Sequence, residues 1–82
     1  MKCVRVVIVD DEPLARKGIR QLLASQPDVE VAGEARNGKD ALRLLKLLTP
    51  DLVFLDIQMP ELDGFAVLRQ LDPARWPLVI FV

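Results

Sequence analysis

Two apolar runs that end in acids constrain this chain more than any other feature. "CVRVVIV" (3–9) stops at Asp10, Asp11 and Glu12, and "LVFLD" (52–56) stops at its own last residue, Asp56. Near-continuous apolar, β-branched runs of this length read as strands buried on both faces, which belong to parallel sheets. Parallel strands need crossover connections, and helical segments are there to supply them. Pro13 suits a first helical turn, and the acids before it favour the helix's positive end. Ala15, Ile19, Leu22 and Leu23 then recur at helical spacing until Pro27 stops the helix. "VEVAGEA" (29–35) alternates weakly and suits an edge strand. Asn37-Gly38 signals a turn and a helix start before "KDALRLLKLL" (39–48), which Thr49-Pro50 closes. "IQMPELDG" (57–64) is a loop, "FAVLRQL" (65–71) a short helix, and "LVIFV" (78–82) a fourth strand after Trp76-Pro77.

The pattern β-α-β-α-β-α-β predicts the α/β class: a doubly wound parallel sheet, right-handed crossovers and helices on both faces. In such sheets ligands sit at the carboxyl ends of the strands, near the point where strand order reverses. A flavodoxin-like order, 2-1-3-4, would set the first and third strands side by side, and Asp10, Asp11 and Asp56 would converge. Three close carboxylates repel one another, and a proton or a cation relieves the cost. Hard oxygen ligands suit Mg²⁺. Gln58 can offer a backbone carbonyl two residues after Asp56, Met59-Pro60 stiffens the loop, and Gly64 permits a close approach or a positive φ. A carboxylate in such a site can attack phosphorus, with Mg²⁺ screening the two anions. The residues alone leave open which acid attacks, and whether Asp10 and Asp11 are only helix-start acids. Glu12 reads as a helix-start residue rather than a ligand, and Asp63 as a turn residue beside Gly64.

Composition removes competing chemistries. With no histidine, His-based general bases, His metal ligands and Ser-His-Asp triads are all excluded. The 11 basic and 12 acidic residues leave a net charge of −1, which gives no electrostatic argument for nucleic acid or an anionic membrane. The single cysteine, Cys3, cannot form an intramolecular disulfide, fits a reducing compartment and reads as a small apolar filler. The first apolar run is short and interrupted by Arg5, unlike a signal peptide, and nothing approaches a membrane span. The expected location is cytoplasmic. An 82-residue chain forms at most one small domain, and 51% hydrophobic content is high for it. Either the core is dense or apolar surface awaits a partner. Leu44, Leu45, Leu47 and Leu48 cover too wide an arc for one buried stripe, and Met59 and Trp76 read as packing residues.

"VVIVDDEPLAR", followed one helix-strand-helix later by "PDLVFLDIQMPELDG", closely resembles the receiver domain of two-component response regulators. The resemblance covers the whole chain. It implies a CheY-like fold and a phosphoryl group accepted on Asp56 from a histidine kinase, a phosphotransfer protein or a small phosphodonor. It implies Mg²⁺ held by Asp10, Asp11, Asp56 and the Gln58 backbone carbonyl, with Asp11 and Asp56 as direct ligands and Asp10 acting more through water. The face of helix one that carries Leu14, Arg16 and Lys17, otherwise a solvated face, would dock the kinase. "DDEPLAR" and "PLVIFV" look most like regulators with a LytTR-type DNA-binding output, so DNA would be contacted by an output domain and not by this chain.

Receivers also carry a Thr or Ser after strand four and a Lys after strand five. The chain ends at Val82, about where that hydroxyl would follow, and the family's fourth helix, fifth strand and fifth helix do not appear. Residues 1–82 therefore read as a truncated receiver domain, expected to form a homo-oligomer, simply associated or intertwined, through uncovered apolar surface. Two other readings stand beside this one. An interaction fragment could lack phosphochemistry altogether. A phosphatase of the haloacid-dehalogenase type would place its nucleophile after strand one in a D-x-D-x-T/V pattern, which Asp10-Asp11-Glu12-Pro13-Leu14 does not match.

Overall fold

The computed structural model describes residues 3–82. The chain alternates β1 (Val4–Val9), α1 (Pro13–Leu23), β2 (Val29–Ala35), α2 (Gly38–Leu48), β3 (Leu52–Leu55), α3 (Gly64–Arg69) and β4 (Leu78–Phe81), with a short 3-10 turn at Pro73–Arg75. The four strands form one parallel sheet in the order β2-β1-β3-β4, the order expected from the sequence. Val6, Val7, Ile8 and Val9 are all fully buried, which is why β1 shows no alternation.

Parallel register sorts the side chains into two faces. Val7, Val9, Val53 and Leu55 point into the main core, where Ala41 and Leu45 of α2 and Val67 and Leu68 of α3 meet them. Met59 and Leu71 complete that core from the loops, so Met59 is a packing residue as read. On α2, Leu45 is buried, Leu44 and Leu48 are partly covered and Leu47 is exposed, the wide arc splitting as anticipated. Val6 and Ile8 point to the opposite face, in register with Leu52 and Phe54 of β3 and with Leu78 and Ile80 of β4. α1 lies over β1 and β2 on that side, and Leu78 and Ile80 remain exposed.

Several local expectations change. Leu22 shares a helical face with Ile19 and Leu23, yet it is 75% exposed, and no residue of α1 is fully buried. The helix packs on β1 and β2, and the flank that carries Leu22 stays largely open to solvent. Cys3 precedes the first strand and is exposed, so it fills no core space. Arg5, the one charge inside β1, turns toward the C-terminal end of α2, where its Nη1 donates to the Leu48 carbonyl at 2.7 Å. It caps a carbonyl that the helix leaves without a partner. Thr49 ends the same helix at φ 42°, a left-handed cap conformation more often given to glycine.

These burials predict two different costs. Leu55→Ala should lose about 2–5 kcal/mol of stability in urea unfolding, because its neighbours cannot collapse fully onto the space left. Leu22→Ala should change stability by less than about 0.5 kcal/mol. Comparable losses for the two variants would contradict this assignment of faces.

Candidate functional site

Strand register builds the site. Val9 pairs with Leu55, the Asp56 N–H donates to the Val9 carbonyl at 3.0 Å, and the Asp10 N–H donates to the Ala35 carbonyl at 3.1 Å. Asp10 and Asp56 therefore leave the carboxyl edge of the sheet side by side, and Asp11 follows Asp10 outward. One carboxylate oxygen from each of Asp10, Asp11 and Asp56 lies within 4.8 Å of the other two. Asp10 is 7% exposed, Asp56 half-buried and Asp11 exposed. Glu12 stands outside this group. It occupies the N-cap position of α1 and uses its backbone, its N–H donating to Asp10 Oδ1 at 2.9 Å.

The loop after β3 is held close over the acids. The Gln58 N–H donates to Asp56 Oδ1 at 3.0 Å, which fixes one carboxylate oxygen and places residue 58 beside it. Gly64 is needed for proximity, since a Cβ there would lie 2.7 Å from the Asp56 carbonyl oxygen. The positive φ that the loop requires falls on Glu61, at 69°, and not on Gly64. Gly38, read as part of a turn and helix start, does begin α2, directly against the same loop, and a Cβ there would overlap the Leu62 backbone. Asp63 caps α3 by accepting from the Ala66 N–H at 2.8 Å, a more specific task than a turn residue. An open groove of about 740 Å³ runs from Asp11 between Arg36 and Lys39 on one side and Pro60 to Leu62 on the other.

The acids burden one another. Asp56 is held above the ordinary carboxylate range, first by partial burial and then by the charges of Asp10 and Asp11, while the Gln58 N–H pulls the other way. Folded Asp56 thus binds its proton more tightly than the unfolded chain does. The resulting destabilisation is fully present above the raised folded value and disappears below the ordinary carboxylate value.

Sequence reading missed one part of this site. Arg16 belongs to no solvated face: its side chain is 18% exposed, and Nη1 donates to the Asp10 backbone carbonyl at 2.6 Å. Its Nε lies 3.4 Å from Glu34 of β2, and Arg20 Nε donates to the same carboxylate at 2.7 Å. Arg16 is therefore turned inward and is not free for a partner, whereas Leu14 and Lys17 stay exposed. The four-residue spacing of Arg16 and Arg20 was visible. That Glu34 faces them follows from the register shift between Val6 and Val7, which pairs Ile8 with Glu34.

Residues 6–82 match the response regulator receiver domain family. The chain belongs to that family. It is 46% identical over 79 residues to the transcriptional regulatory protein BtsR of Salmonella typhi, covering 96% of this chain and 33% of that protein. It is 43% identical over 79 residues to the protein-glutamate methylesterase/protein-glutamine glutaminase 2 of Methanospirillum hungatei, covering 96% of this chain and 22% of that one. This receiver thus spans a third or less of the length of these curated relatives. The response regulator domain of Thermotoga maritima CheB superposes with a TM-score of 0.88 at 34% identity, over 98% of this chain and 60% of that one. Receivers hold Mg²⁺ at an acidic cluster, and this receiver groups three acids at the corresponding edge. No helix among the described residues is long and apolar enough to cross a membrane.

The repulsion is measurable without metal. Asp56→Asn keeps the side chain's shape and removes one charge. Its metal-free melting midpoint at neutral pH should exceed the parent's by about 4–8 °C, equivalent to about 1 kcal/mol in a domain of this size. The difference should close near pH 3, where both forms are neutral at this position. A lower midpoint for the variant at neutral pH would contradict the electrostatic reading.

Proposed function

We propose that this receiver accepts a phosphoryl group on Asp56 from a histidine kinase or phosphotransfer protein, with Mg²⁺ held beside it. The observation that carries the proposal is the convergence of Asp10, Asp11 and Asp56, together with their unequal surroundings. Asp10 is buried and one of its oxygens already accepts from the Glu12 N–H. Asp56 is half-buried, and its Oδ1 is oriented by the Gln58 N–H. It is the acid with both a fixed direction and access to a donor. The fit of the metal rests on the donors: three convergent carboxylates, of which Asp56 has its proton affinity raised by burial and then by the charges of the other two, and a carbonyl two residues on. Asp11, Asp56 and the Gln58 backbone carbonyl would be the direct ligands, with Asp10 acting through water.

An Asp56 oxygen attacks phosphorus in line with the leaving group. An O–P bond forms, and the donor's P–N bond, or the P–O bond of an acyl phosphate, breaks. The leaving atom keeps the electron pair, so a phosphoimidazole protonated at its other ring nitrogen departs as neutral imidazole and an acyl phosphate departs as a carboxylate. When bound, Mg²⁺ would offset the charge gathered between the carboxylates and the phosphoryl oxygens. The chain's own part is to fix the acceptor and carry the acids in register. The phosphatase reading, with Asp10 attacking, is disfavoured by the burial of Asp10.

The kinase would dock on the outer side of α1 through Leu14 and Lys17, both exposed. BtsR is by name a transcriptional regulator and the Methanospirillum relative an esterase, so output varies among proteins that share this receiver. We assign to the longer protein a DNA-binding output, of LytTR type, in the cytoplasm. A second reading concerns the isolated chain, whose exposed Leu22, Leu78 and Ile80 favour self-association in solution. A monomeric mass by light scattering at micromolar concentration, with cooperative unfolding, would contradict that reading.

Incubation with acetyl phosphate and Mg²⁺ tests the main proposal. Intact-mass analysis should show a single phosphoryl adduct on the parent protein, lost on hydroxylamine treatment and absent without Mg²⁺. Asp56→Asn should carry none. An equal adduct on Asp56→Asn sinks the acceptor assignment.

A further inference from the structure

The structure assigns Arg16 as a positioning residue for the acidic site: its guanidinium, anchored on Glu34, clamps the Asp10 carbonyl and thereby aims Asp10 and Asp11 at the cation. This inference rests on the metal reading proposed above. The β1 ladder ends at Val9, and Asp10 must hold a defined turn just where ladder hydrogen bonds run out. Its N–H is taken by the Ala35 carbonyl, its Oδ1 by the Glu12 N–H, and its carbonyl by Arg16 Nη1 at 2.6 Å. Of these ties, only the last comes from a side chain. It reaches back six residues from the second turn of α1, so the helix and the acidic turn are held as one unit.

Arginine suits this task and lysine does not. One planar guanidinium serves two groups on different elements: Nη1 donates to the Asp10 carbonyl, and Nε lies 3.4 Å from the Glu34 carboxylate in an ion pair. Glu34 in turn accepts from Arg20, which keeps the carboxylate on the helix side. Groups that orient metal ligands from behind typically change metal affinity about 10–100-fold when removed.

Charge alone predicts the opposite sign. Arg16 is a cation beside a cation site, so its removal should tighten Mg²⁺ binding by relieving repulsion. Loss of positioning should weaken it. Calorimetric titration with Mg²⁺, well below each melting midpoint, separates the two. Arg16→Met should bind about tenfold more weakly than the parent, and Arg16→Lys should also be weaker, since it keeps the charge without the fork. Glu34→Gln keeps the carbonyl clamp and loosens its anchor, so it should weaken binding about threefold. Arg16→Lys, for which charge alone predicts no change, decides the matter if Arg16→Met does not fold. Unchanged or tighter binding by a folded Arg16→Met, or unchanged binding by Arg16→Lys in its place, overturns the role of Arg16. A parent protein that binds no Mg²⁺ overturns the metal site itself, and this inference with it.

Discussion

The pairing of Val9 with Leu55 is the constraint on which the rest depends. Parallel strands emit their last residues in the same direction. Once these two are opposite each other, Asp10 and Asp56 must emerge together. A shift of one residue would turn one of the two strands inside out relative to the other, because side chains alternate between faces. The core and the site share one register: Val7, Val9, Val53 and Leu55 are buried against α2 and α3 in the same pairing that collects the acids. Burial of apolar side chains offsets the repulsion, and a few carboxylates can be held in a state they would avoid in an unfolded chain.

What surrounds the acids is built from backbone as much as from side chains. The loop from Ile57 to Asp63 packs so closely that a Cβ at Gly38 would strike Leu62 within it, and a Cβ at Gly64 would strike the Asp56 carbonyl oxygen just before it. Met59 anchors it in the core and Asp63 ties it to α3. On the other side, Arg16 binds the Asp10 carbonyl to α1. Two turns, each tied to the helix that follows it, thus hold the cluster from opposite sides. This arrangement suits a receiver, in which the acids need fixed positions before any cation or phosphoryl group arrives.

The sequence made the fold legible because apolar runs of period one and helices of period 3.6 are strong, separate signals. Asp10, Asp11 and Asp56 were legible for the same reason, since each ends or follows such a run. Other features depend on what neighbours do. Leu22 has the right helical spacing for a core residue, but periodicity fixes which residues share a face and not how much of that face is covered. Arg16 sits among cations that suggest a wet surface, and its true setting depends on a register irregularity in a neighbouring strand. Gly64 was legible as a site of close approach or of positive φ without a choice between them; the loop uses it for closeness and places the positive φ on Glu61. These are long-range packing outcomes, and a local pattern carries little information about them.

The central claim is that register delivers Asp11 and Asp56, with the carbonyl of Gln58, to a single cation. Mn²⁺ in place of Mg²⁺ makes this directly visible by anomalous scattering from a crystal of the protein. One peak about 2.1–2.3 Å from an Asp11 oxygen, an Asp56 oxygen and the Gln58 carbonyl oxygen is the result expected for hard oxygen donors. A crystal in which this edge stays empty while Mn²⁺ binds at other exposed acids, such as Glu12 or Asp63, would contradict it.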